Sequence, residues 1–368
     1  MISFLFSFIY FVTLIFRKRS YDVVFYAPRY FNRGENGENL HFKCLIDSCK
    51  KNKLTYIIFE EPAECIFARN KKSIPFDFIF YLIIFLRRLM QHNNDIIQIE
   101  HNIGDFLAKS FFRNFKYKNY IVLSKSMISI FSRIDNDAKI FDLQHGIIYN
   151  NKPDYFSNNI LSPHLLRNNV SLLVYGKKFK DILVKNGSKN FINQNTYIIG
   201  FDLPSRILHT TPNRNILVSL QFTGDHTNRQ NKKLLEEIKS YINIYKEFNF
   251  FLRDHPRFKD EVILDDIYIN KNVFTAPNSL LNCFKKCSIH LTAYSTITFE
   301  AALYGIPTIF LSSLDDTFDM FTSDFCLEKK KDLLYTFNHY EKQSSFYKKW
   351  ILGFYDNYDE KRFINILK

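Results

Sequence analysis

Residues 290–311 read HLTAYSTITFEAALYGIPTIFL, and this stretch decides the architecture. An apolar strand runs to Tyr294, a helix opens at Ser295 and Thr296, and Gly305-Ile306-Pro307 closes it before another strand begins near Thr308. Glycine adopts the left-handed backbone that ends a helix, and proline cannot continue one. The two hydroxyls and the free N–H groups of the helix start make a place for an anion, reinforced by the helix dipole. Glu300 stands one turn inside that helix. An ordinary capped helix with a surface glutamate fits the same pattern.

Outward from this unit, short apolar runs alternate with helical patterns along the whole chain, the signature of parallel α/β layers. In the first half, strands are expected at residues 21–27, 54–60, 96–100, 120–124, 139–143, 172–175 and 197–200, with helices at 38–52 and 105–115. A second series has strands at 215–220, 248–252, 290–292 and 308–311, with helices at 232–247 and 296–303. The expected fold is α/β, two Rossmann-like domains facing across a cleft. The expected boundaries are an apolar segment 1–19, a first domain 20–204, a polar linker 205–213, a second domain 214–345 and a helical segment 346–368, which is expected to pack back on the first domain. Ligands of such folds bind beyond the carboxyl ends of the strands.

A chain of 368 residues usually divides into two cores, and 46% hydrophobic residues argue against disorder. The 40 Phe and 22 Tyr, with abundant Asn, Lys and Ile, match the bias of an AT-rich genome and carry no functional weight. A net charge of +13 points to anionic company. The basic residues are spread along the chain and no nucleic-acid motif appears, so phosphorylated ligands and a membrane surface rank above nucleic acid. The six cysteines form no CxxC pair and read as reduced thiols, mostly core fillers.

Residues 2–16, ISFLFSFIYFVTLIF, precede Arg17-Lys18-Arg19. The run is shorter than the ~20 residues of a spanning helix and lacks the leader and cleavage site of a secretory signal. It reads as an interfacial helix or short anchor, or as a buried first helix, with the basic residues keeping the first domain in the cytoplasm. Residues 74–90, IPFDFIFYLIIFLRRLM, fit a core helix or a second interfacial one.

Two further motifs stand at expected strand ends. Arg253-Asp254-His255-Pro256 puts two cation-capable groups in a loop suited to a phosphate, with Pro256 holding His255 extended. Gln144-His145-Gly146 follows an apolar strand; Gly146 permits a tight turn that presents His145, which can take a proton near neutral pH. A satisfied surface or structural histidine is the plainer reading of each.

Taken in order, His145-Gly146, Arg253/His255-Pro256 and Ser295-Thr296…Glu300 resemble the motifs of glycosyltransferases of the two-domain "GT-B" architecture that build bacterial capsule, lipopolysaccharide and teichoic acid. The resemblance covers most of residues 20–345 in layout and three short motifs in identity. Where the teichoic-acid polymerases have Trp-His-Gly-Thr-Pro, this chain has Gln-His-Gly-Ile-Ile. The resemblance implies that His145 is the general base on the acceptor hydroxyl. It also implies that Arg253, His255, Ser295 and Thr296 hold the donor phosphate and that Glu300 binds the donor ribose.

The loop around Thr223, Gly224 and Asp225 is a second candidate donor contact, and the loop carrying Arg29, Arg33 and Glu35 a candidate acceptor site. Cationic side chains and a helix start can neutralise a departing phosphate, and no Asp-x-Asp stands at a strand end. Inverting, metal-independent transfer from a nucleotide sugar, with no cofactor, is therefore expected; the Arg/His-Pro resemblance favours a CMP-linked acid sugar as the donor, with UDP- and GDP-sugars open. The expected partners are a nucleotide-sugar donor, a glycan or lipid-linked glycan acceptor, and an anionic membrane surface at the cytoplasmic face of the inner membrane. The alternatives are a CDP-alditol glycerol- or ribitol-phosphate transferase, a sugar-nucleotide epimerase of the same fold, and a non-catalytic scaffold in polysaccharide assembly.

Overall fold

The structure is a computed structural model describing residues 2–32, 34, 36–63, 68–90, 95–158, 160–203, 211–223, 226–255, 262–311, 321–327 and 332–368. It forms two compact units, one of Met1–Leu203 with Phe354–Lys368 and the other of Pro204–Gly353.

The first unit is built on seven parallel strands: β1 (Arg19–Pro28), β2 (Tyr56–Glu61), β3 (Ile74–Pro75), β4 (Phe115–Leu123), β5 (Lys139–Leu143), β8 (Ser171–Val174) and β9 (Thr196–Ile198). Their order is β3-β2-β1-β4-β5-β8-β9, and β6 (Phe156–Ser157) and β7 (Ile160–Leu161) make a separate antiparallel hairpin. The last six residues of β1 are buried on both faces, as a strand inside a parallel sheet covered by helices must be. Much of the phenylalanine content fills this core: Phe59, Phe76, Phe112, Phe115 and Phe131 share ring contacts, and Tyr120 stacks on Phe131 at 4.1 Å.

The helices of this unit include α1 (Ile2–Leu14), α2 (Lys43–Lys51), α3 (Asp77–Leu89) and α4 (Ile96–Lys109). The strand expected at 96–100 is the first turn of α4. Asp95 caps it by accepting from the N–H groups of Ile97 and Gln98, and Ile97, Ile103 and Leu107 recur at helical spacing on its buried face. The helix expected at 105–115 is the end of α4, and β4 already begins at Phe115.

The final residues return to this unit. Asp356 donates its N–H to Tyr175 and accepts from Phe201, while Tyr358 and Asp359 donate to Phe201 and Ile199. Gly200, at φ +80°, lies so close to this segment that a Cβ would come within 2.1 Å of the Asn357 carbonyl oxygen. Helix Glu360–Leu367 then buries Phe363, Ile364 and Leu367.

The second unit has five parallel strands, β10 (Asn215–Ser219), β11 (Asn249–Arg253), β12 (Val273–Thr275), β13 (Ile289–Thr292) and β14 (Thr308–Phe310), in the order β12-β11-β10-β13-β14. Its core includes Ile216, Val218, Phe250, Leu252, Ile289, Leu291 and Ile309. Helix Ile297–Leu303 joins β13 to β14. It ends as expected: Gly305 sits at φ +69° and donates to Ala302, and Ile306 donates to Ala301, a Schellman arrangement.

In each sheet the direction of winding reverses between two neighbours, β1 and β4 in the first unit and β10 and β13 in the second. Such switch points open a crevice at the carboxyl ends of the strands.

Candidate functional sites

In the second unit the loops leaving the switch-point strands are tied to one another. Buried Gln221, after β10, accepts the Tyr294 N–H at 3.2 Å, and His226 in the same loop meets the Tyr294 hydroxyl at 2.5 Å through Nε2. The other ring nitrogen of His226 faces Asn231 Oδ1 at 3.0 Å. Thr227 and Gln230 then form a reciprocal capping box that starts the 17-residue helix Asn228–Ile244. Thr223 is buried and its hydroxyl has no hydrogen-bond partner. Gly224 and Asp225 lie outside the described residues.

Arg253 ends β11 half-buried, donating through Nη1 to the carbonyls of Pro277 and Asn278 at 3.0 Å each. It therefore braces the loop after β12 as well as charging this edge. Its field reaches Glu300, which is half-buried; desolvation pushes that carboxyl up to about 7 and Arg253 pulls it back. The motifs at 253 and 300, separate in sequence, thus meet electrostatically. Asp254 is exposed, His255 is half-buried, and Pro256 lies outside the described residues.

The helix start differs from expectation. It begins at Ile297, and Thr296 is exposed, already helical and makes no side-chain cap. Ser295 supplies the local bond, its buried hydroxyl accepting from Ile297 N–H at 3.2 Å. At only seven residues, this helix contributes a short dipole.

In the first unit His145 follows β5, one strand from the switch point. Its turn is held by Gln144, which is fully buried: Nε2 donates to the Gly146 carbonyl at 2.7 Å and Oε1 accepts from Tyr175 N–H at 2.8 Å. The role expected of Gly146 is corrected by its geometry. It does not adopt positive φ, and a Cβ there would meet only Lys152 Nζ at 3.8 Å, so the turn rests on the glutamine.

His145 Nε2 stands 3.7 Å from Asp154 Oδ2, its Nδ1 is enclosed without a hydrogen-bond partner, and its ring packs edge-on to Phe31 at 5.2 Å. Burial, with help from Lys152, holds the imidazole neutral, its pKa lowered to about 3; Asp154 opposes this. Lys152 donates to the Ile147 carbonyl at 3.0 Å and lies 3.4 Å from Asp154. Asp142, buried beneath, is raised to about 7 by desolvation. His41 bonds the Tyr175 hydroxyl at 3.0 Å and also packs on Phe31.

Arg29 lies in a short 3-10 turn and donates to the Ala63 carbonyl at 3.2 Å, while Arg33 and Glu35 lie outside the described residues. Beside that loop is a cavity of about 500 Å³ whose lining includes Asn36, Glu38, Lys43, Asp47 and Lys72.

Sequence reasoning placed His226 in the candidate donor loop, residues 221–228, but gave it and Tyr294 no individual role, although the capping box directly after His226 was a usable signal. Asp154 and His41 carried none, being ordinary polar positions until the fold brings them to His145 and Tyr175. Among the described residues no cluster of three His, Cys, Asp or Glu could hold a metal ion.

Neither a protein-family model nor a curated protein sequence matches the chain. Solved structures do match its fold. UDP-GlcNAc 2-epimerase from Methanocaldococcus jannaschii aligns over 95% of this chain and 99% of its own at 12% identity, TM-score 0.52. A UDP co-structure of MnaA from S. aureus aligns over 94% of each chain at 12% identity, TM-score 0.52. The wall teichoic acid polymerase TagF aligns over 94% of this chain and 87% of its own at 11% identity, TM-score 0.50. The chain is an α/β protein with two Rossmann-like domains and shares the GT-B-type fold of these enzymes.

Proposed function

We propose that the protein is an inverting glycosyltransferase that passes a sugar from a nucleotide-sugar donor to a growing cell-surface glycan of the capsule or lipopolysaccharide kind. The observation that carries this reading is the convergence of Thr223, His226, Arg253, Tyr294, Ser295 and Glu300 on the carboxyl edge of the second unit's sheet, where such folds take ligands. The UDP-GlcNAc 2-epimerase and the UDP-bound MnaA that share the fold support a nucleotide-sugar ligand. In this reading Arg253 and His255 face the donor phosphate, Ser295 and Thr296 complete its contacts, and Glu300 accepts hydroxyls of the ribose.

His145 is the base. It is neutral at working pH, as a base must be before it takes a proton, and Asp154 stabilises the imidazolium that forms. As the acceptor oxygen bonds to the anomeric carbon, the bond from that carbon to the phosphate oxygen breaks and the nucleotide leaves. The cavity lined by Lys43, Lys72, Glu38 and Asp47 offers both charges to a polar acceptor. The leaving phosphate is neutralised by side chains with no metal, so transfer is expected to persist in EDTA.

Thermal shifts with CMP, CDP, UDP and GDP test the donor site. Stabilisation by one base and loss of that shift in Arg253→Ala are expected; no shift from any of them sinks the reading. A second reading, a sugar-nucleotide epimerase, is favoured by the 99% coverage of the archaeal epimerase. Nucleotide sugar supplied without acceptor separates the two: an epimer released under those conditions supports the second reading.

A further inference from the structure

We infer that α1 and the outer ridge of α3 form a docking face that lies in the headgroup region of an anionic lipid bilayer. This goes beyond the proposed chemistry and does not depend on it. The two helices run antiparallel, with Phe11 against Phe76, Phe8 against Phe78 and Phe4 near Tyr81. Ser3 and Ser7 tie the pair together, one donating to Asp77 Oδ1 and the other accepting from Phe78 N–H, both at 3.1 Å.

The inner side of α1 buries Ser7, Phe11 and Leu14, but its outer side is equally apolar. Leu5, Phe6 and Ile9 are 58%, 52% and 53% exposed, and on α3 Tyr81, Phe85 and Leu89, four apart, are 52%, 57% and 59% exposed. A helix apolar all round belongs in a core or in lipid, and water is a poor solvent for a joined apolar ridge of this kind.

Charge selects the occupant. Exposed Arg17, Lys18 and Arg19 follow α1, Arg88 is exposed on α3, and Arg113 lies 5.9 Å over the Phe16 ring at the end of the patch. The acidic groups of α3 and α4 are already paired: Asp77 with Arg69, Glu100 with Arg87, and Asp105 with Arg133. The rim is therefore positive, which anionic headgroups complement and a second copy of the same face would repel. Thirteen residues of helix span only about 20 Å, short of the ~30 Å hydrocarbon core, and no described helix is long and apolar enough to cross it. The helix thus lies along the surface, apolar side down.

Flotation of the full chain with phosphatidylcholine vesicles, with and without 30% phosphatidylglycerol, tests this. Binding to the anionic vesicles, weakened by salt, is expected. Leu5→Glu/Ile9→Glu is expected to weaken it by about tenfold or more, and so is Phe85→Ser on the other helix. Arg17→Glu/Lys18→Glu, at exposed positions, should remove the preference for anionic over neutral vesicles. Failure of the wild-type chain to float with anionic vesicles at low salt overturns the inference. So does a lipid-free dimer in sedimentation velocity that Phe85→Ser abolishes. Nucleotide-induced thermal shifts without lipid report separately on the proposed chemistry, so the two can fail independently.

Discussion

His145 and its neighbours show how little of a site is carried by the residue that names it. The imidazole is made neutral by burial and by Lys152, and its counterion, Asp154, comes from a polar loop. If His145 is the base, His145→Ala lowers kcat by about 10² to 10⁴. Asp154→Asn should lower it by about tenfold or more with KM little changed, since it stabilises only the protonated ring. Steady-state kinetics at saturating donor distinguishes the two. The turn that presents the histidine gives a second expectation. Gly146→Ala should leave the melting temperature nearly unchanged, because only Lys152 Nζ lies within reach of the new methyl. Gln144→Ala strips the buried Tyr175 N–H and the half-buried Gly146 C=O of their partner and should cost about 1–3 kcal/mol. Asp142 supplies a pH dependence. Its folded pKa is raised from 3.8 to about 7, so the fold prefers it protonated. That contribution is complete below about pH 4 and is lost as pH rises towards 7. Relative to wild type, Asp142→Asn should therefore gain stability between pH 4 and 8, by about 4 kcal/mol at most, read from denaturant midpoints across that range.

At the scale of elements, two glycines hold positions that penalise any side chain, for different reasons. Gly305 closes its helix at φ +69°, and a Cβ would press on the flexible Lys348 and Ser344 side chains. Gly200, at φ +80°, would drive a Cβ into the backbone of Asn357. Gly305→Ala should cost about 1–2 kcal/mol of left-handed strain, and Gly200→Ala distinctly more, because backbone cannot move aside as a lysine can. Urea unfolding of both variants checks the order. The element misread from sequence has an equally local cause. Residues 96–100, IIQIE, look like a strand in isolation, but Asp95 caps them into a helix whose apolar spacing continues to Leu107. Cap and spacing outweigh the β-branched run.

At the scale of the whole molecule, the last fifteen residues belong to the first unit although more than a hundred residues of the second unit intervene. Phe363, Ile364 and Leu367 are buried there, and Asn119 Nδ2 donates to the Leu367 carbonyl at 3.0 Å. At about 1.5–3 kcal/mol for each buried side chain, their loss is comparable with the whole 5–15 kcal/mol stability of a domain. A chain ending at Gly353 should therefore melt far below the full protein or fail to remain in solution, as differential scanning fluorimetry of the soluble fraction would reveal.

The parallel α/β class, most strands and the helix ending at Gly305-Ile306-Pro307 were legible in the sequence. Alternation of apolar runs with helical periodicity, and the positions of glycine and proline, are local and survive translation into structure. The candidate motifs were legible as positions only. That Glu300 feels Arg253, that His226 reaches Tyr294 and that His145 faces Asp154 depend on which strands become neighbours, and strand order is written in long-range packing. The same holds for α1. Its apolar run announced itself in one dimension, but only packing on α3 decided which half of that surface is covered and which is left bare.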